Sequence, residues 1–571
     1  MTTSPASTGS PSGLVVRLVV VGCLICLGGG CEGDINSQYQ SVKQMPSLSA
    51  GSRADELTKA LELLEGMDQY NPSAAQRQAF LDINRWVVRQ PDLDDWTLDP
   101  LAEQLPKYLY DVLRNTKPAE LRFHDEDVEY LLSHVILRDI ARFAAERAPA
   151  DPLVEPWIAA DGTLAEEQRR DLSLAARMFD WTVRSIQLSE SRSEVRRPKP
   201  AIGPRPQEPG EAKKEASAPP PLRAGPGEMF HASETMLKGH GDMLDRARIF
   251  TLLARQHGID VVVLAHEDGD YVEPKPWICA AVIGTELYLF DMTLGLPIPR
   301  TDRAGIATLS YVHDNPESLS GLGTPEEPYR VKAGTVRRVT VQLDAAPQAL
   351  SRRMHLVERR LAGDRKMVLT AHPFELAARL RMFTGVENVE ILRAPYVALR
   401  YRKALRNQIK KEKRTENPIV RELLVVKSLP PLFRARLLHF RGRFDAQGEQ
   451  PGAKSRYLAC RPPNAALDQL STPENRSRLR VVAAGKQAAS YWMGLLAYDN
   501  TEFTVAREWL AELTLAASPE GPWAHGGRYN LARTWELLGQ PDRASEIYEA
   551  DDSPQSQGNR ARAALLRETN Q

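Results

Sequence analysis

The sequence predicts an α+β chain that is mostly helical, and three observations carry that reading. Apolar residues recur at three- and four-residue spacing through ADELTKALELLEGM, SAAQRQAFLDINRWVV and DVEYLLSHVILRDIARFAAE, which predicts a helical region over 54–150. Between Gly239 and Pro299 a glycine-led helix is followed by the continuous apolar run IDVVVLA and then by WICAAVI and ELYLF. Such runs are the signature of strands covered on both faces. From 486 to 571 small and large residues alternate along paired helical segments.

Composition sets the outer bounds. A chain of 571 residues has room for several domains. Its 74 basic and 74 acidic side chains cancel, so no nucleic-acid partner is expected. Of five cysteines, Cys23, Cys26 and Cys31 lie at the N-terminus. Cys279 and Cys460 remain in the body, too few for a disulfide framework. One bridge between them and two free thiols are equally open.

The N-terminus reads as an address. Arg17 precedes the apolar run LVVVGCLICLGGG, which is of signal-peptide length and too short for a membrane span. The run ends Leu27-Gly28-Gly29-Gly30-Cys31, which resembles a bacterial lipobox. That resemblance implies a signal peptide over 1–30, lipid on Cys31, and an exported, membrane-anchored lipoprotein facing the periplasm or cell exterior. An ordinary cleaved signal with an incidental cysteine is the alternative. Residues 31–53 are polar and read as a tether.

After the helical region, 164–188 predicts another helix, with Met178, Trp181, Val183 and Ile186 on its core side. His124 and His134 read as ordinary helix histidines. Residues 191–227 are rich in proline, charge and small residues and read as an extended insertion. Gly258 suits a helix end, and Gly284-Thr285 suits a two-residue hairpin turn.

The order of elements over 164–300 resembles the transglutaminase-like (papain-like) superfamily. Its members show Gly-x-Cys opening a helix, His-x-Trp on a strand and Asp near the end of the next. The resemblance implies a thiol activated at a helix N-terminus, a histidine that takes its proton, and an aspartate that orients the histidine. Carried onto this chain, Gly241-Asp242-Met243 puts Met243 in the nucleophile place. Lys275-Pro276-Trp277 puts Lys275 in the base place. Asp291 alone matches. A thioether has no proton to lose, and a lysine beside Asp291 makes a salt bridge instead of a catalytic pair. The expectation is therefore a pseudoenzyme with no catalytic residues, no cofactor and no metal. The alternative is an active hydrolase with a relocated nucleophile, Cys279, served by His240, with His231 also nearby. Asp242 and Asp245 beside His240 read as helix caps before they read as metal ligands. DWTVRSIQL, LYLFDMTLGLPIP and LSRRMHLVERRL also resemble exported planctomycete-type proteins with degenerate domains of this kind.

Downstream, VTVQL, MVLT and VEIL predict the strands of a small α/β module over 335–395, packed after the first unit. Residues 396–485 form a mixed region whose 397–443 stretch is markedly basic. It reads as a solvated helix face, with an envelope-polymer-binding surface as the functional alternative. In 486–571, Gly494, Ala497, Ala506 and Leu510, then Ala532, Trp535, Gly539, Ala544 and Tyr548, resemble two tetratricopeptide-type repeats. Two repeats are few for independent stability, so they are expected to dock on the body or on a protein or peptide partner. The chain thus reads as an anchored scaffold or protein-binding module.

Overall fold

The computed structural model describes residues 55–90, 96–115, 121–192, 223–267, 269, 271–325, 327–412 and 417–569. The signal, Cys31 and the whole of the tether lie outside these residues, as does most of the proline-rich insertion.

The chain is mixed α and β, with helical content dominant and the strands gathered in its middle third. Helices α1 (Glu56–Glu65), α2 (Pro72–Val87), α3 (Lys107–Asn115), α4 (Asp125–Glu146) and α5 (Val154–Ala160) come first. Asp55 and Asn71 cap α1 and α2 by accepting the N–H of Thr58 and Ala74. Helix α6 (Glu166–Ser185) buries Met178, Trp181 and Val183, with Ile186 just beyond its end. Strand β1 (Gln187–Leu188) then pairs in parallel with β2 (His240–Gly241), which follows α7 (Ala232–Lys238). The segments flanking the proline-rich stretch are therefore hydrogen-bonded neighbours.

Helix α8 (Met243–Arg255) leads into a six-stranded sheet. Its strands are β3 (Val261–His266), β4 (Lys275–Ile283), β5 (Glu286–Asp291), β6 (Leu296–Pro297), β7 (Val339–Leu343) and β8 (Val386–Ile391). The spatial order is β6-β5-β4-β3-β7-β8, antiparallel throughout except for the β7–β8 pair. Gly284 turns the β4–β5 hairpin at φ +60, in the left-handed region that glycine enters freely. Between the strands of the second half lie α9 (Leu309–Asp314), α10 (Arg352–Glu358) and α11 (Pro373–Leu380).

One expectation, a strand at Met367–Thr370, is corrected here, and the segment 335–395 adds its other two strands to the sheet already described. Val263–His266 of β3 pair with Val339–Gln342 of β7, so its strands extend the existing sheet. An antiparallel edge at β3 offered unpaired backbone groups, and β7 satisfies them. Met367–Thr370 forms no strand. The side chain of Gln256 takes the Val368 N–H at 3.0 Å, and Glu358 takes those of Leu369 and Thr370 at 2.6 and 2.7 Å. Side-chain acceptors replace a ladder there.

The third region holds α12 (Ala394–Glu412), α13 (Pro418–Ser428), α14 (Pro430–Phe440), α15 (Ala453–Ala459) and α16 (Asn464–Asp468). Several of its basic residues are consumed internally. Arg402 pairs with Glu234, Arg406 with Glu126, and Arg441 with both Asp68 and Asp139. Arg436 is buried against the rings of Phe440 and Trp492. The chain closes with α17 (Arg476–Asp499), α18 (Phe503–Leu510), a π-helical turn (Ala511–Ala516), α19 (Ala524–Leu537), α20 (Pro541–Glu549) and α21 (Ser556–Thr569).

Candidate functional site

Helix α8 starts where it does because Asp242 and Asp245 form a reciprocal cap. Asp242 accepts the Asp245 N–H at 2.9 Å, and Asp245 accepts the Asp242 N–H at 3.2 Å. The Gly227 N–H donates to both Asp242 oxygens at 3.1 Å. Both carboxyls are buried, with Arg192 as their nearby cation. Burial and the neighbouring Asp242 push the Asp245 carboxyl up to about 7. These acids are accounted for as caps.

Met243 is the first residue of α8 and is half-buried. That is the place where the helix dipole would favour a thiolate. A thioether there responds to nothing. Lys275 opens β4, is exposed, and has no ion-pair partner among the described residues. Asp291 ends β5 with no exposure. Its carboxylate accepts the N–H of Thr293 at 2.8 Å and of Leu294 at 3.1 Å. It also accepts the Tyr329 hydroxyl at 2.6 Å and the Arg330 guanidinium at 3.0 and 3.1 Å. Trp277 Nε1 donates to the same Tyr329 oxygen at 2.7 Å. The pairing considered for Lys275 is thus made by Arg330, and Met243, Lys275 and Asp291 share no hydrogen bond or ion pair. Tyr329 and Arg330 lie outside the stretch that carried the sequence motif, so nothing in its spacing pointed to them.

The relocated pair does not assemble either. Cys279 is wholly buried in mid-sheet, opposite Val263 on one side and Phe290 on the other. Burial, then the Asp291 carboxylate, drive its thiol pKa upward, away from reactivity. His240 packs at a tilt against Trp523 with ring centroids 4.2 Å apart, and burial pulls its pKa down to about 3. His231, at the start of α7, is pulled down to about 4 by burial and by Arg402. Cys279 and Cys460 are free thiols, both buried.

Among the described residues, one grouping of three has metal-ligand geometry: His525, Asp551 and Asp552. The Arg528 guanidinium already donates to all three, at 2.8, 3.3 and 2.5 Å, which puts a cation where an ion would sit.

A buried charge cluster, which no motif in the sequence marks, joins the C-terminal helices to the body. Arg184 of α6 pairs with Asp180 at 2.8 Å and with Asp499 of α17 at 2.9 Å. Arg533 of α19 pairs with Asp180 at 2.6 Å and Asp151 at 3.2 Å. Arg562 of α21 grips Asp151 with two nitrogens, at 3.0 and 2.6 Å, and Glu536 at 2.7 and 2.6 Å. All seven side chains are buried. The available signal was the Asp180/Arg184 spacing inside an otherwise apolar helix face, which ordinarily marks a solvated pair.

No protein-family model, no curated protein and no solved structure matches this chain.

Proposed function

We propose that this protein is a non-enzymatic, lipid-anchored scaffold in which a degenerate transglutaminase-like unit supports a protein-binding C-terminal region. The carrying observation is the saturation of Asp291 by Thr293, Leu294, Tyr329 and Arg330. An aspartate held by four donors has no capacity to orient a base at the Lys275 position. Even a restored dyad would lack its third member. The purified protein is expected to show no thiol-dependent amine incorporation and no peptidase activity. The double variant Met243→Cys/Lys275→His is expected to remain inactive as well. Turnover by the double variant that alkylation abolishes would show Asp291 to be available and overturn this account.

The C-terminal helices support the binding half of the reading. A Cβ on Gly494 of α17 would lie 2.7 Å from the Leu510 side chain of α18. Close packing of this kind is what small and large positions of tetratricopeptide-type repeats provide. Ala506, Ala532, Ala544 and Tyr548 are fully buried. Anchoring is tested separately. Growth with radiolabelled palmitate is expected to label the protein and to leave Cys31→Ser unlabelled. Equal labelling of both would remove Cys31 as the lipid site.

A further inference from the structure

A cavity of about 540 Å³ opens between α16, the middle of α17 and the π-helical turn with the loop that follows it to Trp523. It falls within the size range of small-ligand sites, about 300–1,000 Å³. Its charged lining is Arg461 and Lys486, with no acid facing them. Arg461 Nε donates to Ser490 Oγ at 3.0 Å, and its guanidinium lies 4.6 Å from the Trp509 ring centroid. Lys486 Nζ donates to Asn464 Oδ1 at 2.6 Å. Neither cation has a carboxylate partner among the described residues. The two terminal nitrogens of Arg461 have no hydrogen-bond partner among them either.

The rest of the wall suits a peptide. Gln487 and Ser518, bonded to each other at 3.1 Å, offer amide and hydroxyl groups. Leu467, Leu513 and Trp523 offer apolar surface. The π-helical turn, a conformation common at functional sites, lines this side with Leu513 and Thr514. Its Thr514 hydroxyl donates to the Trp509 carbonyl five residues back. Trp523 also stacks on Tyr491 and packs at a tilt against His240, so the wall is braced against the strand that leads into α8.

We propose that this cavity binds a peptide through a carboxylate held by Arg461 and Lys486. A guanidinium fork matches the two oxygens of a carboxylate, and Lys486 adds a second positive charge beside it. The proposal rests on the protein-binding reading above and gives that reading a partner chemistry. None of the lining residues belongs to α19 or α20, so the site is distinct from the seam between the two helical pairs.

The test uses the immobilised full chain and three random tetrapeptide libraries: free C-terminal acids, C-terminal amides, and amides with one fixed glutamate. Retention of the free acids over plain amides, lowered tenfold or more by Arg461→Gln and by Lys486→Gln, is the expected result. Enrichment of the glutamate amides instead would support the same site with a side-chain carboxylate as its ligand. Thermal midpoints of both variants equal to that of the parent show that the fold is kept. Equal retention of acids and plain amides, or retention untouched by both substitutions, would overturn the proposal. Retention of peptides untouched by both substitutions removes this site and leaves the protein-binding reading standing, whereas retention of no library counts against both; catalysis is measured independently with the Met243→Cys/Lys275→His variant.

Discussion

Replacing Arg562 with methionine is expected to cost the protein about 3–5 kcal/mol of stability. Methionine keeps most of the volume, so the loss comes from charge. Arg562 makes four hydrogen bonds to Asp151 and Glu536, and its exposure is 1%. Without it, two buried carboxylates share Arg533, which already serves Asp180. Tyr548 gives Glu536 one further hydrogen bond at 2.6 Å, which does not replace a cation. Breaking one partner of a buried pair costs more than removing the pair. The double variant Asp151→Leu/Arg562→Met is therefore expected to recover part of the loss. Urea midpoints at unchanged slope measure both effects. A single-variant loss under about 1 kcal/mol would show that the cluster is solvated and does not hold α21 to the body.

That cluster also marks where the sequence stops being legible. The run from α8 through the β4–β5 hairpin is readable because each signal is local. Asp242 and Asp245 cap a helix three residues apart, Gly258 turns its end, and Gly284 turns the hairpin. The helical stripes of α1, α2, α4 and α6 are readable for the same reason. The place of β7 beside β3 is not, because their pairing joins residues more than seventy positions apart and leaves no mark in either strand. Met367–Thr370 has strand composition, but its N–H groups meet Gln256 and Glu358 instead of another strand. Arginine misleads most. Arg246 is fully buried yet bonds only the carbonyls of Val183, Ile186 and Met292 and the amide of Gln555. On a helical wheel it is one more polar residue. Likewise the basic stretch of 397–443 reads as surface, although Arg402, Arg436 and Arg441 tie elements together inside the fold. At the candidate site the departures of Met243 and Lys275 from the resembled motif were legible. The capture of Asp291 by Tyr329 and Arg330 was not, since those residues come from a loop about forty positions later.

Acid is expected to weaken this protein well above the range where carboxylates titrate, and His134 supplies a clean part of that effect. It sits in α4 with 1% exposure. Its Nδ1 faces the Tyr130 carbonyl at 2.8 Å, and its Nε2 has no partner. Burial pulls its pKa down from 6.5 to about 4. The folded protein therefore keeps this imidazole neutral, while the unfolded chain binds a proton below pH 6.5. Its contribution is fully present above pH 6.5 and is lost as pH falls toward 4, at up to about 1.4 kcal/mol per pH unit. Over that window the loss is on the order of 3 kcal/mol. His231 and His240 act in the same direction. Asp245 opposes them. Its folded carboxyl stays protonated up to about 7, so it favours the fold more as pH falls from 7 toward 4. Total stability mixes these terms, and a difference measurement separates His134 from them. The free-energy gap between the parent and His134→Leu is expected to shift by about 3 kcal/mol between pH 7 and pH 4, in favour of the leucine variant at low pH. Parallel stability curves across that range would mean that His134 titrates alike in the folded and unfolded chain, and that its ring reaches solvent despite its place in the core.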